Sequence, residues 1–126
     1  MALGRAATIR RLFELFNEGI DEVPKDLVSP EIEFVSPLTQ VRGRPYRGYD
    51  DARQWLSDVR DQFERWHYDI DEVREEGDTV IATGIVHVEG RASGVALDQP
   101  ATWVAHFADD GRVARMQVSI EPSAPG

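Results

Sequence analysis

Three stretches decide the fold: Val80-Ile81-Ala82-Thr83-Gly84-Ile85-Val86-His87-Val88-Glu89, Thr102-Trp103-Val104-Ala105-His106-Phe107 and Val113-Ala114-Arg115-Met116-Gln117-Val118-Ser119-Ile120. In the first, Val80, Ala82, Gly84, Val86 and Val88 share one parity. Trp103, Ala105 and Phe107 do so in the second, and Ala114, Met116, Val118 and Ile120 in the third. The opposite parity carries Thr83, His87, Glu89, Thr102, His106, Arg115, Gln117 and Ser119. Strand side chains alternate with period two, so this is a sheet with one apolar and one mixed face. Asp109-Asp110-Gly111 marks the turn between the last two strands.

Working back toward the amino end, Tyr68, Ile70 and Val73 continue the strand pattern with a slip in phase near Asp71-Glu72, and Gly77-Asp78 reads as a hairpin turn. Before them Ala52, Trp55, Leu56, Val59, Phe63 and Trp66 recur at helical spacing, predicting one long helix with Asp50 and Asp51 at its positive end. Pro37 to Gly48 reads as a loop, and Glu31 to Ser36 as a short strand. Pro24 to Val28 predicts a single helical turn closed by Ser29-Pro30. Ile9, Leu12, Phe13, Phe16 and Ile20 form one apolar stripe, predicting a helix from about Arg5 to Asn17 that stops at Gly19. Helices that lie to one side of a mostly antiparallel sheet give an α+β architecture. All 126 residues are expected to form one domain, with the tail from Pro122 to Gly126 outside the fold.

Composition narrows the partners. A net charge of −9 with a single Lys, Lys25, excludes the clustered basic surface that nucleic acid requires and disfavours anionic membranes. The absence of Cys removes disulfides, thiol nucleophiles and thiolate metal sites. No stretch near the start has the apolar core of a secretory signal, and none reaches the ~20 apolar residues of a membrane span, so a cytoplasmic protein is expected.

Leu15-Phe16-Asn17-Glu18-Gly19, Tyr46-Arg47-Gly48-Tyr49-Asp50, Gly90-Arg91-Ala92-Ser93-Gly94, Asp98-Gln99-Pro100 and Phe107-Ala108-Asp109-Asp110-Gly111-Arg112-Val113 follow one another in an order that resembles the nuclear transport factor 2-like superfamily. Within it, the chain is most similar to bacterial SnoaL-like proteins over residues 5 to 121. The resemblance implies a cone-shaped, cystatin-like fold, with a curved mixed sheet packed on its helices. It does not fix a function, because this superfamily holds isomerases, cyclases, hydrolases and non-catalytic binding modules. Ketosteroid isomerases of this fold use a Tyr on helix one, a base Asp ending the first strand and a protonated Asp late in the sheet. The matching positions here are Leu12, Ser36 and Trp103. SnoaL-type cyclases and limonene-type epoxide hydrolases carry a carboxylate on the last strand, where this chain has Val118 between Gln117 and Ser119.

Gly84, Ala82 and Ala105 are too small to fill the space opposite a curved sheet, which predicts an apolar cavity of drug-like size against the helices. The candidate ligand-binding residues are Phe16, Phe34, Ser36, Trp55, Val59, Phe63, Trp103, Ala105, Met116 and Val118. Trp55, Trp103 and Phe34 suit stacking on a ligand and equally suit an ordinary aromatic core. Ser36, Tyr46 and Gln99 are candidate polar contacts. The expected function is binding of a small hydrophobic molecule without a cofactor. The alternative is an enzyme on such a molecule, using a non-standard base such as Asp98 in the loop before Pro100. No carboxylate recurs with His87 and His106 at ligand spacing, so no metal is expected, and His67 reads as a local hydrogen-bonder at a helix-to-strand junction. Ile81, Ile85, Val104 and Val113 on the mixed face predict a homodimer through that surface, with His87, His106 and Gln117 near the contact.

Overall fold

A computed structural model describes residues 4–36 and 43–120. The tail from Pro122, and the part of the predicted loop from Pro37 to Arg42, lie outside the described residues. The elements are α1 (Arg5–Asn17), β1 (Val28–Val35), β2 (Tyr46–Arg47), α2 (Gly48–Gln62), β3 (Phe63–Glu76), β4 (Thr79–Gly90), β5 (Ala96–Phe107) and β6 (Val113–Ile120). The strands form one curved, unclosed sheet in the order β2-β1-β6-β5-β4-β3, in which only the β1–β6 pair is parallel among the described strands. Both helices lie on the concave side, where α1 packs chiefly on β3 and α2 on β1.

α1 ends at Asn17, just before the last residue of its apolar stripe, and the stop is chemical. Gly19 takes a positive φ of 81°, its N–H bonds the Phe16 carbonyl at 3.0 Å, and Ile20 N–H reaches back to Leu15 at 3.4 Å. This Schellman arrangement satisfies the last helical carbonyls and sends Ile20 back over the apolar face. Two residues before Gly19, the Asn17 amide donates to the Tyr68 carbonyl and accepts from the Tyr68 N–H, both at 2.8 Å. A side-chain amide thus stands in for a neighbouring strand at edge strand β3.

α2 is shorter than its periodicity predicts. Phe63 and Trp66 belong to β3, although they continue the helical spacing. Arg91 sets the break: its N–H bonds Gln62 O at 3.0 Å, and its guanidinium bonds Arg60 O at 2.9 and 3.1 Å and Phe63 O at 3.3 Å. A cation at the negative end of the helix takes up the last carbonyls. His67 is consequently in mid-strand opposite His87, not at a junction.

The remaining departures are similarly local. Pro24 O accepts from Leu27 and Val28 N–H at 2.9 and 3.0 Å, forming the predicted turn, but Ser29 and Pro30 already belong to β1. Asp98 and Pro100 lie within β5 rather than in a loop; the described ladder to β6 begins at Ala101, so the missing Pro100 N–H breaks no bond there. A register shift between His106 and Phe107 turns Val113 inward, where it is 1% exposed, and removes it from the outer face. The phase slip near Asp71 is a bulge between Ile70 and Glu72, and it explains Gly84. A Cβ on Gly84 would overlap the Asp69 carbonyl oxygen and sit 2.9 Å from Ile70 Cα. The small residue admits the bulged backbone of β3; it is not the floor of a cavity.

At the other end of the helices, Tyr49 donates to Val28 O at 2.8 Å while Arg112 bonds Lys25 O at 3.2 Å and approaches the Tyr49 hydroxyl at 3.4 Å. Hydrogen bonds from Arg112 hold the Asp110 carboxyl below its ordinary range. Two of the motifs quoted above therefore tie the β5–β6 turn to the start of α2.

Candidate functional site

The concave face is filled by aromatic rings in edge-to-face contact. Phe13 packs on Trp103 at 5.0 Å and on Tyr68 at 5.2 Å, and Tyr68 on Trp103 at 5.4 Å. Trp55 continues the array between Phe16 at 5.1 Å and Phe34 at 4.7 Å, with Trp66 at 6.1 Å. Such pairs add to the burial of the rings themselves. Burial lifts the Tyr68 phenol far above its ordinary value of 10.0, with the Trp66 side chain offsetting part of the rise.

What remains open is a cavity of about 80 Å³ between α1, α2, β1 and β6. Leu12 and Phe16 line it from α1, Phe34 from β1, Ala52 and Trp55 from α2, and Met116 from β6. None of the described residues around it carries an ionisable side chain. Trp55, one of its lining residues, is 4% exposed, and its indole Nε1–H, like that of Trp66, is buried without a hydrogen-bond partner among the described residues. A buried donor left unpaired costs roughly 1–3 kcal/mol, and an acceptor brought by a ligand recovers it.

Phe16, Phe34, Trp55 and Met116 thus come together around one space. Phe63 and Val59, again with Phe16, border a second cleft of about 200 Å³ on the other side of Ile20 and Leu56. Trp103, Ala105, Val118 and Ser36 border neither. Trp103 is 2% exposed, held among Phe13, Tyr68 and its own strand. Ser36 follows the last residue of β1 and is buried. Tyr46 is also buried; its hydroxyl donates to Asp58 at 2.7 Å, and Gln54 donates to the other Asp58 oxygen at 2.8 Å. The space is smaller than the drug-sized cavity the sequence predicts because Phe13 and the β3 bulge occupy the room left by Ala82 and Gly84. Ile20 and Leu56 also line it, and both lie on the helical stripes visible in the sequence.

On the outer face, His87 Nδ1 lies 2.6 Å from Asp98 and Nε2 3.8 Å from Asp69, with the His67 ring 6.1 Å away. Asp98 is therefore on the opposite side of the sheet from the cavity. No three His, Asp or Glu among the described residues converge as metal ligands.

The family model of the SnoaL-like domain matches residues 9–116. The chain belongs to that family. No curated protein matches it in sequence. Among solved structures, a nuclear transport factor 2-like protein of unknown function from Burkholderia pseudomallei superposes with a TM-score of 0.82 at 16% identity, covering 94% of this chain and 92% of that one. TerC, co-crystallised with polyporic acid, gives 0.80 at 18% identity over 93% and 91%. A protein of ketosteroid isomerase-like fold from Catenulispora acidiphila, in complex with trimethylamine, gives 0.78 at 12% identity over 93% and 87%. At these identities the likeness establishes the shared fold. No helix among the described residues is long and apolar enough to cross a membrane.

Proposed function

We propose that this SnoaL-like protein binds a small, largely apolar molecule bearing a hydrogen-bond acceptor in the cavity beside Trp55. The observation that carries the reading is the wholly apolar lining, walled in part by Trp55, whose buried indole N–H has no partner among the described residues. Apolar burial contributes about 25 cal/mol per Å². Micromolar affinity requires about 8 kcal/mol, and a ligand yields at best about 1.5 kcal/mol per non-hydrogen atom, so about six such atoms are the minimum. TerC, a structural neighbour, was crystallised with polyporic acid, which agrees with a ligand of this class. The test is calorimetric titration with 2-octanone against the native chain and an Ala52→Met variant, whose longer side chain fills the space. Saturable binding by the native chain that Ala52→Met abolishes without loss of fold is expected. Equal binding by both would place the ligand elsewhere.

The proposal extends to a homodimer through the outer sheet face and to a cytoplasmic location, the latter supported by the cysteine-free sequence. Ile81, Ile85 and Val104 lie half-buried on the outer face between Thr83, His87 and His106. Light scattering is expected to give twice the monomer mass, reduced to one by Ile85→Glu with Val104→Glu. A native chain of monomer mass at micromolar concentration would overturn the dimer.

A further inference from the structure

The apolar cavity is small, and the space next to it is chemically different. At about 80 Å³ it is about half the size of a dry cavity of ~150 Å³ that accepts benzene. The neighbouring cleft, about 200 Å³, shares Phe16, Ile20 and Leu56 with it, so these three side chains form the partition between the two spaces. The cleft has Phe63 and Trp66 on its floor but Arg60, Glu64 and Arg91 at its rim.

The two arginines differ in what they have left to give. Arg91 is committed: it holds the carbonyls at the end of α2 and the Glu64 carboxylate at 2.7 Å. Arg60 makes one bond, from Nη2 to the Ile20 carbonyl at 3.3 Å, and has no carboxylate partner among the described residues. In a chain of net charge −9, the rim of this cleft carries two guanidiniums against one carboxylate. A planar guanidinium with free N–H groups matches a carboxylate in a bidentate fork. A cationic head would meet Glu64 already paired with Arg91.

We infer that the ligand is an amphipathic carboxylate, its apolar body passing Ile20 and Leu56 into the cavity beside Trp55 and its carboxylate held at Arg60 in the adjoining cleft. This rests on the apolar-cavity reading above and adds to it the class of molecule and the place of its charged end.

Calorimetry on the full chain with octanoate, 1-octanol and octyltrimethylammonium separates the two claims. Octanoate is expected to bind about tenfold more tightly than octanol, the worth of one charge-assisted bond, and octyltrimethylammonium more weakly than either. Arg60→Met is expected to erase the preference for octanoate while leaving octanol affinity unchanged. Glu64→Gln, at an exposed side chain that loosens Arg91, is expected to raise the preference roughly threefold, and added salt to lower it. Equal affinity for octanoate and octanol in the native chain, or a preference that survives Arg60→Met, overturns the carboxylate assignment and leaves the apolar cavity standing. Absence of saturable binding by all three probes overturns both. If Arg60→Met shows no cooperative melting, the Glu64→Gln arm decides, and an unchanged preference there overturns the assignment.

Discussion

Replacing Asn17 by Ala removes the side chain that closes the end of α1 onto the edge of the sheet. Its amide makes two bonds of 2.8 Å to the backbone of Tyr68, one as donor and one as acceptor. Each such bond is worth about 1 kcal/mol net, which puts the loss near 2 kcal/mol for a partly exposed site. For a chain of 126 residues that is a fall in Tm of roughly 7 °C. Denaturation in urea followed by far-UV circular dichroism measures it directly, with an unchanged m-value if only the native state is affected. Asn17→Asp provides an internal control on the geometry. Its carboxylate still accepts from the Tyr68 N–H but repels the Tyr68 carbonyl, so its folded pKa rises above the ordinary ~3.9. A raised acid favours the folded state when protonated, so the penalty of Asn17→Asp relative to the native chain should shrink between pH 7 and pH 4. If Asn17→Ala costs less than about 0.5 kcal/mol, or the Asn17→Asp penalty is independent of pH, the clamp is not what holds α1 to β3.

Gly84→Ala is expected to cost about 1–3 kcal/mol or more, because the new Cβ meets the immobile Asp69 backbone at the bulge; thermal melting checks it. Trp103→Ala, at a position 2% exposed, is expected to lose about 3–5 kcal/mol in chemical denaturation. Tyr68 is raised in the fold, so it contributes stability that is intact below its unfolded value of 10.0 and declines as pH rises above it. A stability profile from pH 8 to 11 should therefore fall more steeply for the native chain than for Tyr68→Phe.

The elements legible in the sequence were those whose signals are local. The stripe that starts at Ile9 and the glycine at position 19 gave α1 to the residue, and the alternation in β4 gave its buried face. Even the bulge at Ile70 to Glu72 showed as a slip of phase. What escaped was set by residues distant in sequence. Phe63 and Trp66, three apart, suit a helix and would fall on opposite faces of a regular strand; a register shift between Phe63 and Arg65 brings their rings together in β3, and Arg91, far along the chain, ends the helix before them. The inward turn of Val113 depends on a register shift made with β5. The candidate site was read in part for the same reason. Phe16, Phe34, Trp55 and Met116 could be chosen by face alone, yet Trp103 and Ala105 share that face and border neither the cavity nor the cleft. Which small residue leaves a void depends on what crosses it, and at Gly84 that is a backbone no local pattern reveals.

The central claim, that a ligand in the apolar cavity brings an acceptor to the buried Trp55 indole, is tested most directly by the indole N–H resonances in a nitrogen-15 spectrum. The chain has three tryptophans, so three signals, assigned by Trp→Phe variants, report the whole aromatic array. On titration with 2-octanone, the Trp55 signal is expected to move downfield and saturate as its N–H finds an acceptor, while that of Trp103, packed between Phe13 and Tyr68, stays in place. A Trp55 signal unmoved at saturating ligand, or a Trp103 signal that moves as far, would contradict the account.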